Sequence, residues 1–373
     1  MAYQLRVMVG LLVACSLVSG PEVFAQGLEK LTPEKILALQ GNVLKQEVKF
    51  PVHLSDGEEF LMAGFFYFHV EHVSACLSLT EPQQVGPCLF ELNVGDKPVQ
   101  TLVHGMTYNH RYWDVERING RLYSYARYMA ENDFVVLGLD LLGSGQSDVP
   151  GGDRLTLDES SLTIAQVLES LKSGQNPMHH AFGKVILTGH SLGSILSVAT
   201  LGTFPHVADA LIVTAWAFAP HVVLSPDLIE AIFQNPYVRI PSQIREDLFY
   251  FLPKADPDVV EFDQRYLADQ TPRGIFAQGL PLLEAMARGT ADDVKFIKAF
   301  SGSNRIRVPV FIQLGEFDVI APARLAGQEA SFYPNARTVQ VHTLPNIGHA
   351  FNLHEKNRKG WKQVKRWLES LPD

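Results

Sequence analysis

Residues 184–193 read Lys-Val-Ile-Leu-Thr-Gly-His-Ser-Leu-Gly, an apolar run that ends in a serine flanked by glycines. A serine hydroxyl becomes a useful nucleophile when a sharp turn lifts it out of a strand and a neighbouring base takes its proton. Gly189 and Gly193 suit such a turn, because they remove the side chains that would collide with backbone as the chain reverses beneath Ser191. A helix expected from Leu192 to about Phe204 would place unpaired amides and a positive dipole end beside the hydroxyl.

Attack on a carbonyl also needs a general base and a group to orient it. Both are found downstream, each just after a strand-like run. Val308-Pro-Val-Phe-Ile-Gln-Leu-Gly-Glu-Phe-Asp318 ends in a glycine-containing turn that carries Asp318, the candidate orienting acid, with Glu316 as its rival two residues earlier. Thr338 to Leu344 leads into Pro345-Asn-Ile-Gly-His-Ala-Phe351, where His349 follows a glycine and is the candidate base. His342 lies within a strand pattern and His354 starts the last helical pattern, where a solvated, cap-like role is expected. His190 and His104 are expected to pack and hydrogen-bond, and Asp140 to organise a loop at a strand end.

The order Ser, Asp, His, each after a separate strand, is the chain order of the α/β-hydrolases. With Val99-Gln-Thr-Leu-Val-His-Gly-Met106 and Phe134 to Asp148 added, the chain resembles that superfamily over about residues 47 to 371. The resemblance implies that the amides of Met106 and Leu192 form the oxyanion hole. Within the superfamily, His104-Gly-Met-Thr-Tyr-Asn-His-Arg-Tyr-Trp-Asp114 is similar to secreted hydrolases of fungal and bacterial origin that carry Tyr-Trp-Asp soon after His-Gly. The implied activity is cleavage of carboxylic esters through an acyl-enzyme, on an apolar small-molecule substrate and without a cofactor. A lyase or acyltransferase on the same scaffold, or a catalytically silent binding protein, is the alternative. The serine at position 191 speaks against the relatives that use an aspartate nucleophile, the haloalkane dehalogenases and most epoxide hydrolases.

The elements that must position these groups follow the pattern of a doubly wound sheet. Gln46 to Leu54 and Phe60 to Val70, around Ser55-Asp-Gly57, read as an antiparallel hairpin. Short Val/Ile/Leu-rich runs then recur at Val99–Val103, Phe134–Leu139, Lys184–Thr188, Ala210–Thr214, Val308–Leu314 and Thr338–Leu344, separated by helix-length segments. The expected fold is therefore α/β: an eight-stranded, mostly parallel sheet flanked by helices. His354 to Leu371 carries Trp361, Val364 and Trp367 at helical spacing and should pack on that sheet. Between these core runs, residues 219–307 hold eight prolines, many aromatics and no persistent strand pattern, which predicts a helical cap. The organisation is then a leader over 1–25, core over 26–218, cap over 219–307 and core again over 308–373.

The leader is expected because Arg6 precedes an apolar run, Val7 to Val18, and Val23-Phe-Ala25 fits a signal-peptidase cut. The run is too short and interrupted to span a bilayer of roughly 30 Å. Export to a secreted or periplasmic location follows, with lipidation of Cys15 in Leu12-Val-Ala-Cys15 as the competing reading. Removing the leader leaves roughly 350 residues, enough for one core with an insertion. Cys76 and Cys88 would then be the remaining cysteines, either as a disulfide worth roughly 3 kcal/mol or as two reduced thiols. The formal net charge of −9 disfavours nucleic acid and acidic membrane surfaces as partners. His179 and His180 lack a third ligand at metal spacing, and Gly143-Ser-Gly145 lacks the third glycine of a dinucleotide turn, so neither metal nor nucleotide is expected. Oligomeric state stays open.

Overall fold

The computed structural model describes residues 42–69, 72–74, 91–92, 94–222, 225, 229–230 and 232–372. The expected leader over 1–25, with Cys15, and the pair Cys76 and Cys88 lie outside the described residues. Runs without alternation form the buried centre of the sheet: β3 (Val99–Val103), β4 (Val135–Leu139), β5 (Val185–His190), β6 (Ala210–Thr214) and β7 (Val310–Gly315) are buried at every position. The edge strands are more open: β1 (Val43–His53), which alternates and pairs with β2 (Glu59–His69) as an antiparallel hairpin, and β8 (Val339–Leu344), where Leu344 is the one buried position.

The strand order across the eight-stranded sheet is β1-β2-β4-β3-β5-β6-β7-β8. β2 meets β4 antiparallel, and every later pairing is parallel. The order reverses around β3, so the loops after β3 and β5 diverge and leave a crevice at the carboxyl edge. β3 and β6 have the bounds expected from sequence, β1 starts three residues earlier, and the other strands differ by at most two residues at either end.

Helices cover the faces. α1 (Tyr125–Ala130) is capped by the Ser124 side chain, which accepts from the Arg127 amide. α2 (Leu157–Ser173) is capped by Thr156, has Asp158 and Glu159 in its first turn, and stops at Gly174 with φ 78°. α3 (Leu192–Thr203) starts directly at the serine and is buried along nearly its whole length. Between β6 and β7 come α4 (Ser242–Phe249), α5 (Pro257–Phe262) with a π-turn over Asp263–Leu267, α6 (Arg273–Arg288) and α7 (Ala291–Ser301). The last of these has a Thr290–Asp293 capping box and contacts α3, while α6 contacts α2. α8 (Asn357–Glu369) buries Trp361, Val364 and Trp367, the last with its ring centroid 5.2 Å from Phe311. It begins three residues later than its periodicity alone suggests, because His354 is used elsewhere.

One buried carboxyl ties the entry of the β6–β7 segment to the core. Glu329 has no exposed surface, and its Oε2 accepts from the amides of Phe218 at 2.8 Å and Ala219 at 3.0 Å. Burial pushes this carboxyl up to about 8, the two amides offsetting only part of the cost. The folded chain therefore holds a proton that the unfolded chain releases. The stability that this one group contributes is fully present below pH 4.5, the ordinary value, and is lost as the pH rises to about 8. The loss amounts to at most about 1.4 kcal/mol per pH unit in that window. Glu329→Gln keeps an acceptor for both amides and removes the titration. Thermal unfolding from pH 5 to 8 should show a melting temperature that falls less in Glu329→Gln than in the wild type; equal slopes would contradict the assignment.

Candidate active site

Ser191 stands between β5 and α3 at φ 54° and ψ −119°, a backbone conformation that L-residues seldom take. Holding a non-glycine residue there costs on the order of 1–3 kcal/mol and needs surrounding structure to enforce it. The Ser191 amide donates to the Thr214 carbonyl at 2.8 Å, which ties the turn to β6. A Cβ on Gly189 would come within 2.3 Å of the Gly193 carbonyl oxygen, and one on Gly193 within 2.3 Å of the Val103 carbonyl oxygen. Both contacts are with backbone and neither can yield, so the two glycines are required for the chain to cross itself here.

The three side chains singled out from sequence meet. His349 Nε2 is 2.8 Å from Ser191 Oγ, and His349 Nδ1 is 3.0 Å from each carboxylate oxygen of Asp318. All three are buried, with Ser191 8% and His349 1% exposed. Asp318 Oδ1 also accepts from the amides of Ile320 and Ala321 at 2.8 and 2.9 Å. These two donors fix the plane of the carboxylate. Nδ1–H of His349 therefore donates to Asp318, which leaves Nε2 free to accept the serine proton.

The rivals are placed elsewhere. Glu316 is exposed and accepts from the Asn346 amide at 2.8 Å, bracing the loop that leads to His349. His342 stacks on Phe311 at 4.7 Å within β8. Asp140 accepts from the His110 and Gln146 amides and pairs with the His110 ring, holding the loop after β4. His190 is completely enclosed; burial, with the neighbouring His349 and His104 rings, drives its pKa well down, so it stays neutral.

His354 corrects the sequence expectation. It is fully buried before α8, and its Nε2 accepts from the amides of Gly348 and Phe251, each at 3.1 Å. Nδ1–H then donates to the Ala350 carbonyl at 2.9 Å. The side chain thus fastens the His349 loop to the residues after α4. Burial lowers its pKa to about 4, which keeps the acceptor nitrogen unprotonated at neutral pH. Its periodic spacing from Trp361 masked this role, since nothing local in the sequence marks a ring as acceptor for two distant amides.

Met106 and Leu192 line one hollow with Ser191. Neither amide donates to a protein acceptor among the described residues, as the first turn of a helix dictates for Leu192. The hollow measures about 560 Å³ with its open mouth included, and Leu157, Ile195, Trp216 and Ile320 from the core and Ile275, Phe276, Gly279, Leu282 and Leu283 from α6 complete it. Among the described residues of the lining, Ser191 is the one that carries a hydroxyl or charged group, the rest being apolar or, as Trp216, aromatic. Among the described residues, no three His, Cys, Asp or Glu side chains are grouped to hold a metal ion, and no helix is long and apolar enough to cross a membrane.

A sheet of this order, with a strained serine at the β5–α3 turn and an acid and a histidine after β7 and β8, is the architecture of the α/β-hydrolases. The model of the alpha/beta hydrolase family matches residues 102–358, and the chain belongs to that family. Similar solved structures include an esterase from Thermogutta terrifontis, 20% identical with a TM-score of 0.54 over 87% of this chain and 98% of that one. A monoacylglycerol lipase from Paleococcus ferrophilus is 17% identical with a TM-score of 0.52 over 74% and 96%. A hydrolase from Pseudomonas aeruginosa is 18% identical with a TM-score of 0.53 over 86% and 98%. At these identities the likeness is one of fold. No curated protein matches the chain.

Proposed function

We propose that this hydrolase cleaves carboxylic esters with Ser191 as nucleophile, His349 as general base and Asp318 as orienting acid. The observation that carries the reading is the continuous contact from Ser191 Oγ through His349 to Asp318 at 2.8 and 3.0 Å, at the wall of an apolar hollow. As Oγ attacks the carbonyl carbon, its proton passes to His349 Nε2, and Asp318 stabilises the imidazolium. The amides of Met106 and Leu192 take up the negative charge on the carbonyl oxygen, and each such donor lowers the barrier by roughly 3 kcal/mol. The imidazolium returns its proton to the leaving alcohol, and water then releases the acyl group by the same route in reverse. Esterase and lipase structures among the neighbours support this choice of chemistry.

An apolar lining favours an aliphatic or aromatic group on the acyl or alcohol side. Residues 219–307 act in this reading as a cap, with α6 as the pocket wall that sets chain length. Export through the leader at 1–25 completes it, on the strength of the residue pattern there.

Hydrolysis of p-nitrophenyl esters from acetate to palmitate, with phosphonate labelling of Ser191 beside it, tests the assignment. Turnover with an optimum at intermediate length supports it. Labelling without turnover of any ester would move the protein to acyl transfer onto another acceptor, and absence of both would sink the serine reading. Gly279 offers a sharper check of the pocket, because a Cβ there meets nothing within 4 Å. Gly279→Phe should fill the hollow and lower activity on decanoate about tenfold or more, with acetate changed less than about threefold. Equal losses on both would disconnect the hollow from the acyl chain.

A further inference from the structure

The buried ion pair between Arg245 and Asp263 lies outside the three catalytic candidates, yet it reaches the residue next to Met106. Resting on the serine-hydrolase reading, we infer that Arg245, fixed by Asp263, is a positioning residue that sets the oxyanion loop from the β6–β7 segment.

Thr107 carries the argument. It stands at φ 57°, an uncommon conformation for a β-branched residue. Each of its polar groups is held by the β6–β7 segment. Its amide donates to Thr271 Oγ1 at 2.7 Å, and its carbonyl accepts from the Asp269 amide at 2.9 Å and from Arg245 Nη1 at 3.1 Å. Its hydroxyl oxygen accepts from the same Nη1 at 2.6 Å. The peptide plane that follows Met106 is therefore fixed from outside the core, and with it the path of the backbone that carries the Met106 amide.

The far side of the guanidinium explains how Arg245 can hold that place. Nε and Nη2 donate to the two oxygens of Asp263 at 3.1 and 2.8 Å, a bidentate geometry that a lysine cannot reproduce. Tyr250 and Tyr108 donate their hydroxyls to the same carboxylate at 2.8 and 3.2 Å. The cation lies 4.1 Å above the Tyr108 ring and 5.0 Å from that of Phe249. Arg245 is 1% exposed and Asp263 is fully enclosed. Apolar residues of similar volume usually stabilise a core as well as such a pair does. What the pair supplies beyond stability is one fixed orientation for the fork that grips Thr107.

The same helix serves the base. Phe249, at the end of α4, accepts from the Ala350 amide through its carbonyl at 2.8 Å and packs its ring 5.5 Å from that of His349. Asp269 adds a second brace, accepting from the Gly145 amide and from Asn109 Nδ2, both at 2.8 Å. Residues 242–271 are in this respect part of the catalytic frame, while α6 lines the hollow together with residues of the core.

The test uses p-nitrophenyl butyrate and its thiono analogue, in which sulfur replaces the carbonyl oxygen. Sulfur is larger and a poor hydrogen-bond acceptor, so a well-aimed oxyanion hole favours the oxygen ester. Arg245→Met should lower kcat on the ester tenfold to a hundredfold with KM changed less than threefold, while the thionoester loses less than threefold. Arg245→Lys should recover little of the ester rate. Removing one member of a buried pair can unfold a chain, so Arg245→Met with Asp263→Leu, and separately Thr107→Val, supply the same readout in folded protein, with circular dichroism as the check. Parallel losses on ester and thionoester in the folded variants, or no loss at all, would overturn the inference while Ser191→Ala still abolished turnover. Retention of turnover in Ser191→Ala would instead overturn the serine reading, and the inference with it.

Discussion

Ser191→Ala should lower kcat on p-nitrophenyl butyrate by about 10⁴-fold or more and leave the melting temperature within a few degrees of the wild type. The change removes one oxygen and the single hydrogen bond that it makes to His349, while the amide that donates to Thr214 and the glycines that permit the turn stay in place. Among the described residues of the lining, no other side chain is nucleophilic, so none of them can take over the attack. The residual rate would reflect the hollow and the open amides acting on water, a contribution that survives loss of the nucleophile in triad enzymes. Steady-state kinetics on freshly purified variant, with intact-mass analysis after phosphonate treatment, makes the comparison. Retention of a tenth of the wild-type rate, or labelling at another residue, would remove Ser191 from the mechanism.

Asp318→Asn should be nearly as damaging, with kcat lowered about 10³- to 10⁴-fold and KM little changed. The reason lies in the two backbone amides of Ile320 and Ala321, which both donate to Oδ1. An asparagine would give its carbonyl oxygen to those donors, because the opposite orientation sets N–H against N–H. Its NH2 would then take the place of Oδ2, 3.0 Å from His349 Nδ1, and leave only the oxygen already shared by the two amides to accept from that ring. The imidazole would respond by carrying its proton on Nε2, the nitrogen that must receive the proton of Ser191. The same argument separates Asp318 from Glu316, whose carboxylate is spent on the Asn346 amide. Glu316→Gln should stay within about threefold of the wild-type rate. A loss at Glu316 comparable to that at Asp318 would reverse the assignment.

Much of this arrangement is legible along the chain because its determinants are local. A strand buried on both faces reads as an unbroken apolar run, and β3, β5 and β6 are found where such runs occur. A turn that forces backbone across backbone needs glycine at particular offsets, so Gly189 and Gly193 mark Ser191 without any knowledge of the neighbouring strands. The first-turn amides of α3 follow from the helix beginning where it does.

What could not be read depends on contacts between residues far apart in sequence. His354 looks like the first residue of a helix, and only the folded loop shows its ring accepting from Gly348 and from Phe251, 103 residues earlier. Arg245 and Asp263 sit in a stretch whose pattern suggests a self-contained cap, yet the fork of Arg245 closes on Thr107, 138 residues away. Glu329 resembles any helical carboxylate until burial against the amides of Phe218 and Ala219 raises its pKa. Sequence by itself determined the sheet, the turn that exposes Ser191 and the order of its partners, because period, steric need and strand ends are properties of neighbouring residues. Tertiary structure alone decided which carboxylate faces His349, what lines the hollow and what holds the oxyanion loop, because a side chain's partner is chosen by the geometry of the closed core and leaves no mark on the residues beside it.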